Sequence, residues 1–201
     1  MELKEKILSS FMAFEEKIAD VNNDLYDIRT SAIKHFENKG FPTKKEEAWK
    51  YTSLNAILKN DFSVFPKKEN TVEFADVKKY FLNEVDTYKV VFIDGKFSSH
   101  LSSTTHDGLD VCLMSSALNK PKYKMFIDEY FNKIANKDDS LTSLNTAFSQ
   151  EGAYVNIPKS KVVDKPIEIL YFSTGSEAAL MTQPRNLIIV GENAHVQIVE
   201  R

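Results

Sequence analysis

Hydrophobic residues near the start of the chain recur at steps of three and four positions, the spacing of one face of an amphipathic helix. A first helix is therefore predicted over residues 1–21. Its inward positions are Leu3, Ile7, Phe11, Phe14 and Ile18. Asn22-Asn23 interrupts the pattern, and a second helix is predicted from about Asp24 to Gly40. We expect these two helices to pack against each other as an α-hairpin.

The stretch after the second helix mixes helical and loop signals. Thr43 and Glu46 have the spacing of a capping box, in which the two side chains satisfy free backbone N–H groups reciprocally. A short helix that carries Trp49 is predicted to follow this box. Residues 60–70 have the composition of a loop, and another helix is predicted near residues 75–84.

A β-hairpin is the clearest element in the middle of the chain. Residues 88–101 place two apolar runs on either side of Asp94-Gly95, a dipeptide typical of the type I′ turn. The elements predicted after it are a strand over 109–114, a helix from Pro121 to Ile134, and a helix that starts after the turn at 137–140 and ends at Gly152.

After Gly152 the pattern changes to short β-rich runs separated by Pro, Gly, Asn and Ser. The runs are AYVNI, IEILYF, NLIIV and HVQIV. The fold class is therefore predicted as α+β, with an N-terminal helical domain that includes a small β-hairpin unit over residues 1–148. The β segment of residues 149–201 follows it. Its runs recur at uneven intervals, so periodicity alone does not predict a solenoid.

The last β run reaches Arg201 without a polar ending. A sheet interrupted in mid-pattern leaves an unpaired edge, which natural chains normally cover or blunt. We therefore expect the chain to be the front part of a longer protein, truncated within its sheet. We also expect it to self-associate through this β edge, after about Leu187, where the run containing Val196 and Ile198 is β-prone.

Composition narrows the classes of function. The 26 basic and 29 acidic residues are interspersed and leave a net charge of −3, which argues against a nucleic-acid-binding surface. A single cysteine excludes an internal disulfide and a metal site built from several thiolates of one chain. Charges throughout the N-terminal segment argue against a signal peptide or a membrane span. A cytoplasmic protein without nucleic-acid or membrane partners is expected.

No phosphate-binding loop is predicted. Gly95-Lys96 resembles part of one, but the Walker pattern needs glycine where Val90 stands and serine or threonine where Phe97 stands. The hairpin turn explains the glycine better, because Asp-Gly is among the strongest short signals for a two-residue turn.

The other reactive side chains do not form a recognised constellation. His100 and His106, with Asp107, are spaced by six positions in a polar loop, which is not a metal-ligand signature. Cys112 lies in an apolar run, where a buried and inert thiol is the ordinary outcome. No serine stands in a nucleophile-elbow pattern. We therefore predict no catalytic residue, no metal ligand and no cofactor on this chain.

Trp49 is the only tryptophan, and Lys50 and Tyr51 follow it directly. It is predicted to anchor its short helix in the core. The alternative is an aromatic anchor in a protein interface, because tryptophan and tyrosine are enriched in binding hot spots. Burial of the ring distinguishes the two.

Two segments resemble the SufB/SufD family of iron–sulfur cluster assembly proteins. Residues 41–54, FPTKKEEAWKYTSL, are similar to a Pro-x-x-x-x-Glu-x-Trp-Lys-Tyr-Thr signature of the SufD branch. Residues 141–200 resemble the part of the family where its β-helix begins. The matching positions there are Leu144, Asn145, Ala147, Phe148, Gly152, Pro158, Pro166, Ile167, Arg185, Asn186, Gly191 and Glu200.

The resemblance implies a fold and a set of partners. It implies an N-terminal helical domain, and a right-handed parallel β-helix whose first rungs lie in residues 149–201. It implies pairing with a SufB-like paralogue and association with a SufC-like ATPase, so the iron–sulfur cluster and ATP belong to the complex. The family-motif positions with a structural or interface role are Trp49, Lys50, Tyr51, Asn145, Pro166, Arg185 and Asn186.

Two functions follow from these observations. The preferred one is a non-catalytic scaffold subunit of the iron–sulfur assembly complex. The alternative is a carbohydrate-active or ligand-binding β-solenoid protein, which would need acidic residues clustered on successive strands. Only Glu168 and Glu200 lie near the predicted strands.

Overall fold

The computed structural model of the chain describes residues 2–18, 25–64, 72–103, 109–149, 151–175 and 179–201. The α-helices are Leu3–Ile18 (α1), Tyr26–Lys39 (α2), Phe74–Val77 (α3), Met114–Leu118 (α4), Pro121–Tyr130 (α5) and Ser140–Ala147 (α6). The β-strands are Tyr88–Ile93 (β1), Lys96–Phe97 (β2), Asp110–Leu113 (β3), Ala153–Ile157 (β4), Ile167–Phe172 (β5), Leu187–Val190 (β6) and Ile198–Glu200 (β7). Single 3₁₀ turns occupy Glu47–Trp49 and Lys78–Tyr80. The chain divides into two compact units.

The first unit is helical and comprises Met1–Phe65, Glu129–Ser149 and Ala178–Gln183. Helices α1, α2 and α6 surround its hydrophobic core. The buried core side chains on and beside these helices are Ile7, Phe11, Phe14, Ala32, Ile33, Phe36, Leu144, Ala147 and Phe148. The residues of α1 and α2 in this core follow the predicted helical spacing, so the predicted packing of these two helices is confirmed.

Local chemistry sets the helix ends. Gly40 ends α2 with φ of 72°, a left-handed conformation that favours glycine, and its N–H donates to the Phe36 carbonyl at 2.7 Å. The Asp139 carboxylate accepts a hydrogen bond from the Thr142 N–H at 2.6 Å and caps α6. Both boundaries agree with the prediction. The predicted break at Asn22-Asn23 lies outside the described residues.

The second unit comprises Pro66–Asp128, Gln150–Glu177 and Pro184–Arg201 and contains two sheets. The strand orders are β2-β1-β5-β7 and β3-β4-β6. β1 and β2 form the predicted hairpin, with positive φ at Asp94 and Gly95 as a type I′ turn requires. The pairs β1–β5, β5–β7 and β4–β6 are parallel, whereas β3–β4 is antiparallel. The predicted α+β class is confirmed.

From β4 onward the chain alternates between the two sheets and returns to each in parallel. Tyr154 on β4 lies opposite Leu187 on β6, 33 positions later. Val162, in the turn after β4, lies opposite His195 at the same offset. Ile167 on β5 lies opposite Ile198 on β7, 31 positions later. Successive passes of the chain therefore stack along three neighbouring lines.

Strands β1 and β5 are buried on both faces. Val90, Phe92, Ile167 and Ile169 point to a cluster that they share with alternate residues of β4. On the opposite face, the residues of the two strands pack with side chains of α3 and the loops. The members of this second cluster are Val77, Phe81, Val91, Ile93, Leu101 and Leu170. Such double burial explains the nearly continuous apolar run of each strand.

Several predicted elements are shorter than expected. The capping box forms in part, since the Thr43 N–H donates to Glu46 Oε1 at 3.0 Å, but a single 3₁₀ turn follows instead of a helix. The helix predicted near 75–84 is α3 with one 3₁₀ turn. Ile134, predicted as the last residue of a helix, lies beyond the end of α5 and is 98% exposed. Local helical spacing does not guarantee a buried partner surface.

The ends of three other elements also differ from prediction. The strand predicted over 109–114 ends at Leu113, because Met114 begins α4. α6 ends at Ala147, so Gly152 does not terminate a helix and instead precedes β4. The HVQIV run forms a strand only at its end, in β7. β3 and β7 extend only over the residues that pair with β4 and β5.

β1 pairs with β5, which lies on the other side of the domain boundary predicted at residue 148. The boundary itself stays a prediction. No helix in the described ranges is long and apolar enough to cross a membrane.

Candidate functional site

An exposed aromatic turn follows the capping box. Tyr51 is 90% exposed, and the Lys50 Nζ atom lies 5.6 Å from the centre of its ring, within reach of a cation–π interaction. Lys50 Nζ also lies 3.9 Å from the Glu47 carboxylate. Trp49 is half-buried. In this turn the tyrosine and the lysine are therefore exposed to solvent, whereas the tryptophan is partly buried.

This burial pattern yields a prediction for the two aromatic rings. Tyr51→Ala should change the free energy of unfolding by less than about 0.5 kcal/mol, because an exposed ring loses little packing. Trp49→Ala should cost about 1–2 kcal/mol, below the 3–5 kcal/mol of a fully buried tryptophan. Urea unfolding measures both values. A loss above about 3 kcal/mol for Trp49→Ala would show that the ring is a core anchor.

A second group of family-motif residues lies where β6 begins. Asn186 Oδ1 accepts a hydrogen bond from the Ala153 N–H at 2.7 Å. Its Nδ2 donates to Tyr171 Oη at 2.6 Å and to Glu200 Oε1 at 2.8 Å, and Tyr171 Oη donates to the same carboxylate oxygen at 3.0 Å. One amide thus connects β4, β5 and β7. Burial and Glu200 raise the pKa of Tyr171, so its hydroxyl stays protonated and remains a donor.

Gly152 and Arg185 are in close backbone contact beside this amide. The Arg185 N–H donates to the Glu151 carbonyl at 2.9 Å. A Cβ atom at position 152 would lie 1.9 Å from the Arg185 carbonyl oxygen, so only glycine fits. Burial lowers the pKa of the Arg185 guanidinium. These residues hold two successive passes of the chain at strand-pairing distance.

The two remaining motif positions make backbone or amide contacts. The Pro166 carbonyl accepts a hydrogen bond from the Tyr88 N–H at 2.9 Å, at the start of the β1–β5 ladder. Asn145 Nδ2 donates to Gln183 Oε1 at 3.2 Å in the helical unit. Of the seven predicted positions, Trp49, Lys50 and Tyr51 lie in one turn, and the neighbours Arg185 and Asn186 lie just before β6.

Two short edge strands border the sheets. β6 is the outer strand of one sheet and β7 of the other. On β6, Ile188 and Val190 are 37% and 47% exposed. An edge strand offers unpaired backbone groups to another strand, and exposed β-branched side chains favour such pairing. These edges are the second candidate interaction surface.

The side chains considered for catalysis and metal binding have ordinary structural surroundings. Cys112 is half-buried, and burial raises the pKa of its thiol, which disfavours the nucleophilic thiolate. His100 hydrogen-bonds to Ser98 and to the Val72 carbonyl. His195 is exposed and forms a backbone bridge opposite Val162. His106 and Asp107 lie outside the described residues.

Within the described part of the chain, no three His, Cys, Asp or Glu residues come close enough to hold a metal ion. Glu168 is fully buried, and its carboxylate accepts hydrogen bonds from the Leu82 N–H, Thr87 Oγ1 and Arg201 Nη2. A carboxylate with these partners is a structural group. Sequence reasoning missed this role, although a glutamate inside the apolar run IEILYF was a signal for a satisfied buried charge.

Comparison with known proteins places these features in a family. The family model described as "SufBD protein N-terminal region" matches residues 1–169 of the chain. An iron–sulfur cluster assembly SufBD family protein of Synechocystis is 28% identical over 159 residues, covering 79% of this chain and 35% of that protein.

Two further relatives have lower identity. The chloroplastic protein ABCI7 of Arabidopsis thaliana is 25% identical to this chain. The match covers 88% of this chain and 37% of ABCI7. The iron–sulfur cluster assembly protein SufD of Escherichia coli is 20% identical to this chain. That match covers 80% of this chain and 35% of SufD. The chain spans about a third of the length of the curated relatives it matches.

Proposed function

The chain belongs to the SufBD family, as the match to the family's N-terminal region shows, and we propose that it serves as a non-catalytic scaffold subunit of an iron–sulfur cluster assembly complex. The observation that carries the proposal is the family match over 169 of the 201 residues. Two curated relatives are named as iron–sulfur cluster assembly proteins, which supports the same role.

The β segment forms the first rungs of a right-handed parallel β-helix in this proposal. The parallel pairs β4–β6 and β5–β7 support it, as does the bridge between Val162 and His195. Each pass of the chain thus pairs with the next at three places, as successive rungs of a parallel β-helix do. Gly152 and Gly191 support it as well, because each lets the backbone of the next pass approach where a Cβ atom would clash.

The proposed partners are a SufB-like paralogue and a SufC-like ATPase. The exposed Lys50 and Tyr51 suit a hot-spot contact with such a partner. The cluster is cargo of the assembly and ATP is a ligand of the ATPase. The site of action proposed is the cytoplasm.

Co-purification tests the proposal. The full-length protein, expressed with the SufB-like and SufC-like proteins of its own organism under anoxic conditions with ATP, should elute as one complex. Tyr51→Ala should weaken capture of the partners, whereas Tyr130→Ala, which removes another exposed tyrosine ring, should not. Failure of the unmodified protein to associate with either partner would contradict the scaffold role.

The cluster itself should not reside on this chain. A four-thiolate cluster would require four chains to share Cys112, because each carries one cysteine. After anaerobic reconstitution and desalting, we expect no retained visible absorbance from iron–sulfide charge transfer. A cluster that survives desalting in stable stoichiometry would overturn this expectation.

The strand edges should also mediate self-association of the 201-residue chain. Backbone pairing and burial of exposed residues such as Ile188 and Val190 provide the driving force, at about 25 cal/mol per Å² of apolar surface. Sedimentation at several concentrations should detect dimers or larger species, and Val196→Lys or Ile198→Lys should reduce them. A species that stays monomeric at high concentration would contradict the prediction.

The β-solenoid enzyme has no observation in its favour. It would need carboxylates accessible to a glycan on successive strands. The Glu168 carboxylate is buried and already accepts three hydrogen bonds, and the Glu200 carboxylate accepts bonds from Tyr171 and Asn186. Both are held as structural acceptors.

A further inference from the structure

A cleft of about 280 Å³ lies between α2 and α6 in the helical unit, apart from the two candidate surfaces described above. Asp27, Ser31 and His35 line one wall at four-residue steps, which puts them on one face of α2. Ser143 of α6 and Lys137, in the segment before it, line the other side. The cleft is thus a small site bounded by groups of both charges.

The two helices run antiparallel along the cleft, which fixes the position of these charges. Lys39 near the end of α2 donates to the Asp138 carbonyl before α6, whereas Arg29 near the start of α2 donates to the Ser149 carbonyl after α6 at 2.9 Å. A helix rises about 1.5 Å per residue, so Asp27 and His35 are about 12 Å apart along α2. The acidic end is at Asp27.

Hydrogen bonds place Lys137 at the opposite end, with His35. The Ser143 oxygen lies 3.4 Å from the Lys137 carbonyl oxygen and 2.8 Å from His35 Nδ1, so the shorter bond is the one in which the hydroxyl donates to Nδ1. In that tautomer His35 Nε2 carries the proton and can donate to a ligand carboxylate. Among the described residues, neither the Asp27 carboxylate nor Lys137 Nζ has a hydrogen-bond or ion-pair partner. The Asp139 carboxylate, also near this end, accepts a hydrogen bond from the Thr142 N–H.

Apolar side chains complete the cleft between its charged ends. Ile28 and Ala32 also line it, and Ala32 is buried. A ligand with a short aliphatic or peptide body would cover this surface. Its two ends would meet a carboxylate on one side and an ammonium with an imidazole on the other. The volume is close to the lower limit of small-molecule sites, which favours a ligand of amino-acid to dipeptide size.

We propose that the cleft between α2 and α6 binds a small linear zwitterion, of the class of ω-amino acids and dipeptides, with its ammonium at Asp27 and its carboxylate at Lys137 and His35. Neither charge alone would suffice, because a single exposed ion pair contributes little. Two pairs in one helical unit, with the apolar stretch between them, give selectivity for a molecule that carries both charges. The site is independent of the proposed scaffold function.

Titration of the ¹⁵N-labelled chain with 6-aminohexanoate and 8-aminooctanoate tests this site. Amide shifts should saturate and concentrate in residues 27–35 and 142–146. Hexanoate and hexylamine, which each carry one of the two charges, should bind at least about tenfold more weakly, a loss of about 1.4 kcal/mol.

Matched variants locate the charges. Asp27→Asn and Lys137→Gln should each weaken binding of the zwitterion about tenfold, whereas Lys133→Gln, which changes an exposed lysine that does not line the cleft, should leave it unchanged. Equal affinity for hexanoate and the zwitterion would overturn the proposal. So would unsaturable shifts, shifts centred elsewhere, or an unchanged affinity in Asp27→Asn with a native spectrum.

Discussion

Gly152→Ala should destabilise the chain by about 3 kcal/mol or more, one of the two largest effects we expect from a single substitution. The added Cβ atom would lie 1.9 Å from the Arg185 carbonyl oxygen and 2.4 Å from its carbonyl carbon. Overpacking costs about 1–3 kcal/mol where side chains can move aside, and here the obstacle is backbone. Relief requires the segment before β6 to move away from β4, which breaks the hydrogen bond from Arg185 to Glu151.

Two other glycines serve as controls in the same urea-unfolding measurement. Gly191→Ala should be the more damaging of these two changes, since its Cβ atom would lie 2.5 Å from the Lys159 backbone nitrogen. Gly175 has φ of 67° but no atom within 4 Å of an added Cβ, so Gly175→Ala should cost only about 1 kcal/mol of backbone strain. If Gly152→Ala and Gly175→Ala were equally mild, the stacking of β6 on β4 would be wrong.

Features encoded within a few residues were predictable from the sequence. The turn at Asp94-Gly95, the helix start at Pro121, the cap at Asp139 and the helix end at Gly40 each depend on local backbone preference and nearby hydrogen bonds. The sequence signals for these features are strong because the same backbone preferences and local hydrogen bonds apply in any tertiary structure. The same logic failed at Ile134, where helical spacing continued beyond the point at which α5 ends.

Features that depend on distant pairing were not predictable from pattern. The passes of the chain stack at offsets of 33 and 31 positions, so their corners differ in length and no strict repeat appears. The hydrogen bonds that join Tyr171, Asn186 and Glu200 exist only because the strands stack in that register. Family resemblance marked Asn186 and Glu200, whereas Tyr171 looked like one more apolar position in IEILYF.

The candidate surfaces divide in the same way. The Trp-Lys-Tyr turn was marked by its sequence, and the structure added that Tyr51 is exposed while Trp49 is half-buried. The cleft between α2 and α6 had no sequence signal. Asp27 and His35 lie on one helix, but Lys137 joins them only through the antiparallel packing of α6.

Glu168→Ala should lower the free energy of unfolding by about 3 kcal/mol, the second large effect. Truncation leaves the half-buried Leu82 N–H and the buried Thr87 hydroxyl without their acceptor, at about 1–3 kcal/mol for each unsatisfied group. It also removes the ion pair with Arg201, whose side chain is 43% exposed and regains hydration. Glu168→Gln keeps one carbonyl acceptor, so its loss should be about half as large.

The control for charge alone is Glu192→Gln. The Glu192 carboxylate pairs with Lys159 on the surface, where both side chains are about two-thirds exposed, so its loss should cost less than about 0.5 kcal/mol. Urea unfolding of the three variants should therefore rank Glu168→Ala well above Glu168→Gln, and Glu168→Gln above Glu192→Gln. Equal losses in Glu168→Ala and Glu192→Gln would mean that the Glu168 carboxylate does not join the 82–87 loop to β5. The apolar run IEILYF would then tolerate a small side chain at its only charged position, because no buried donor depends on it.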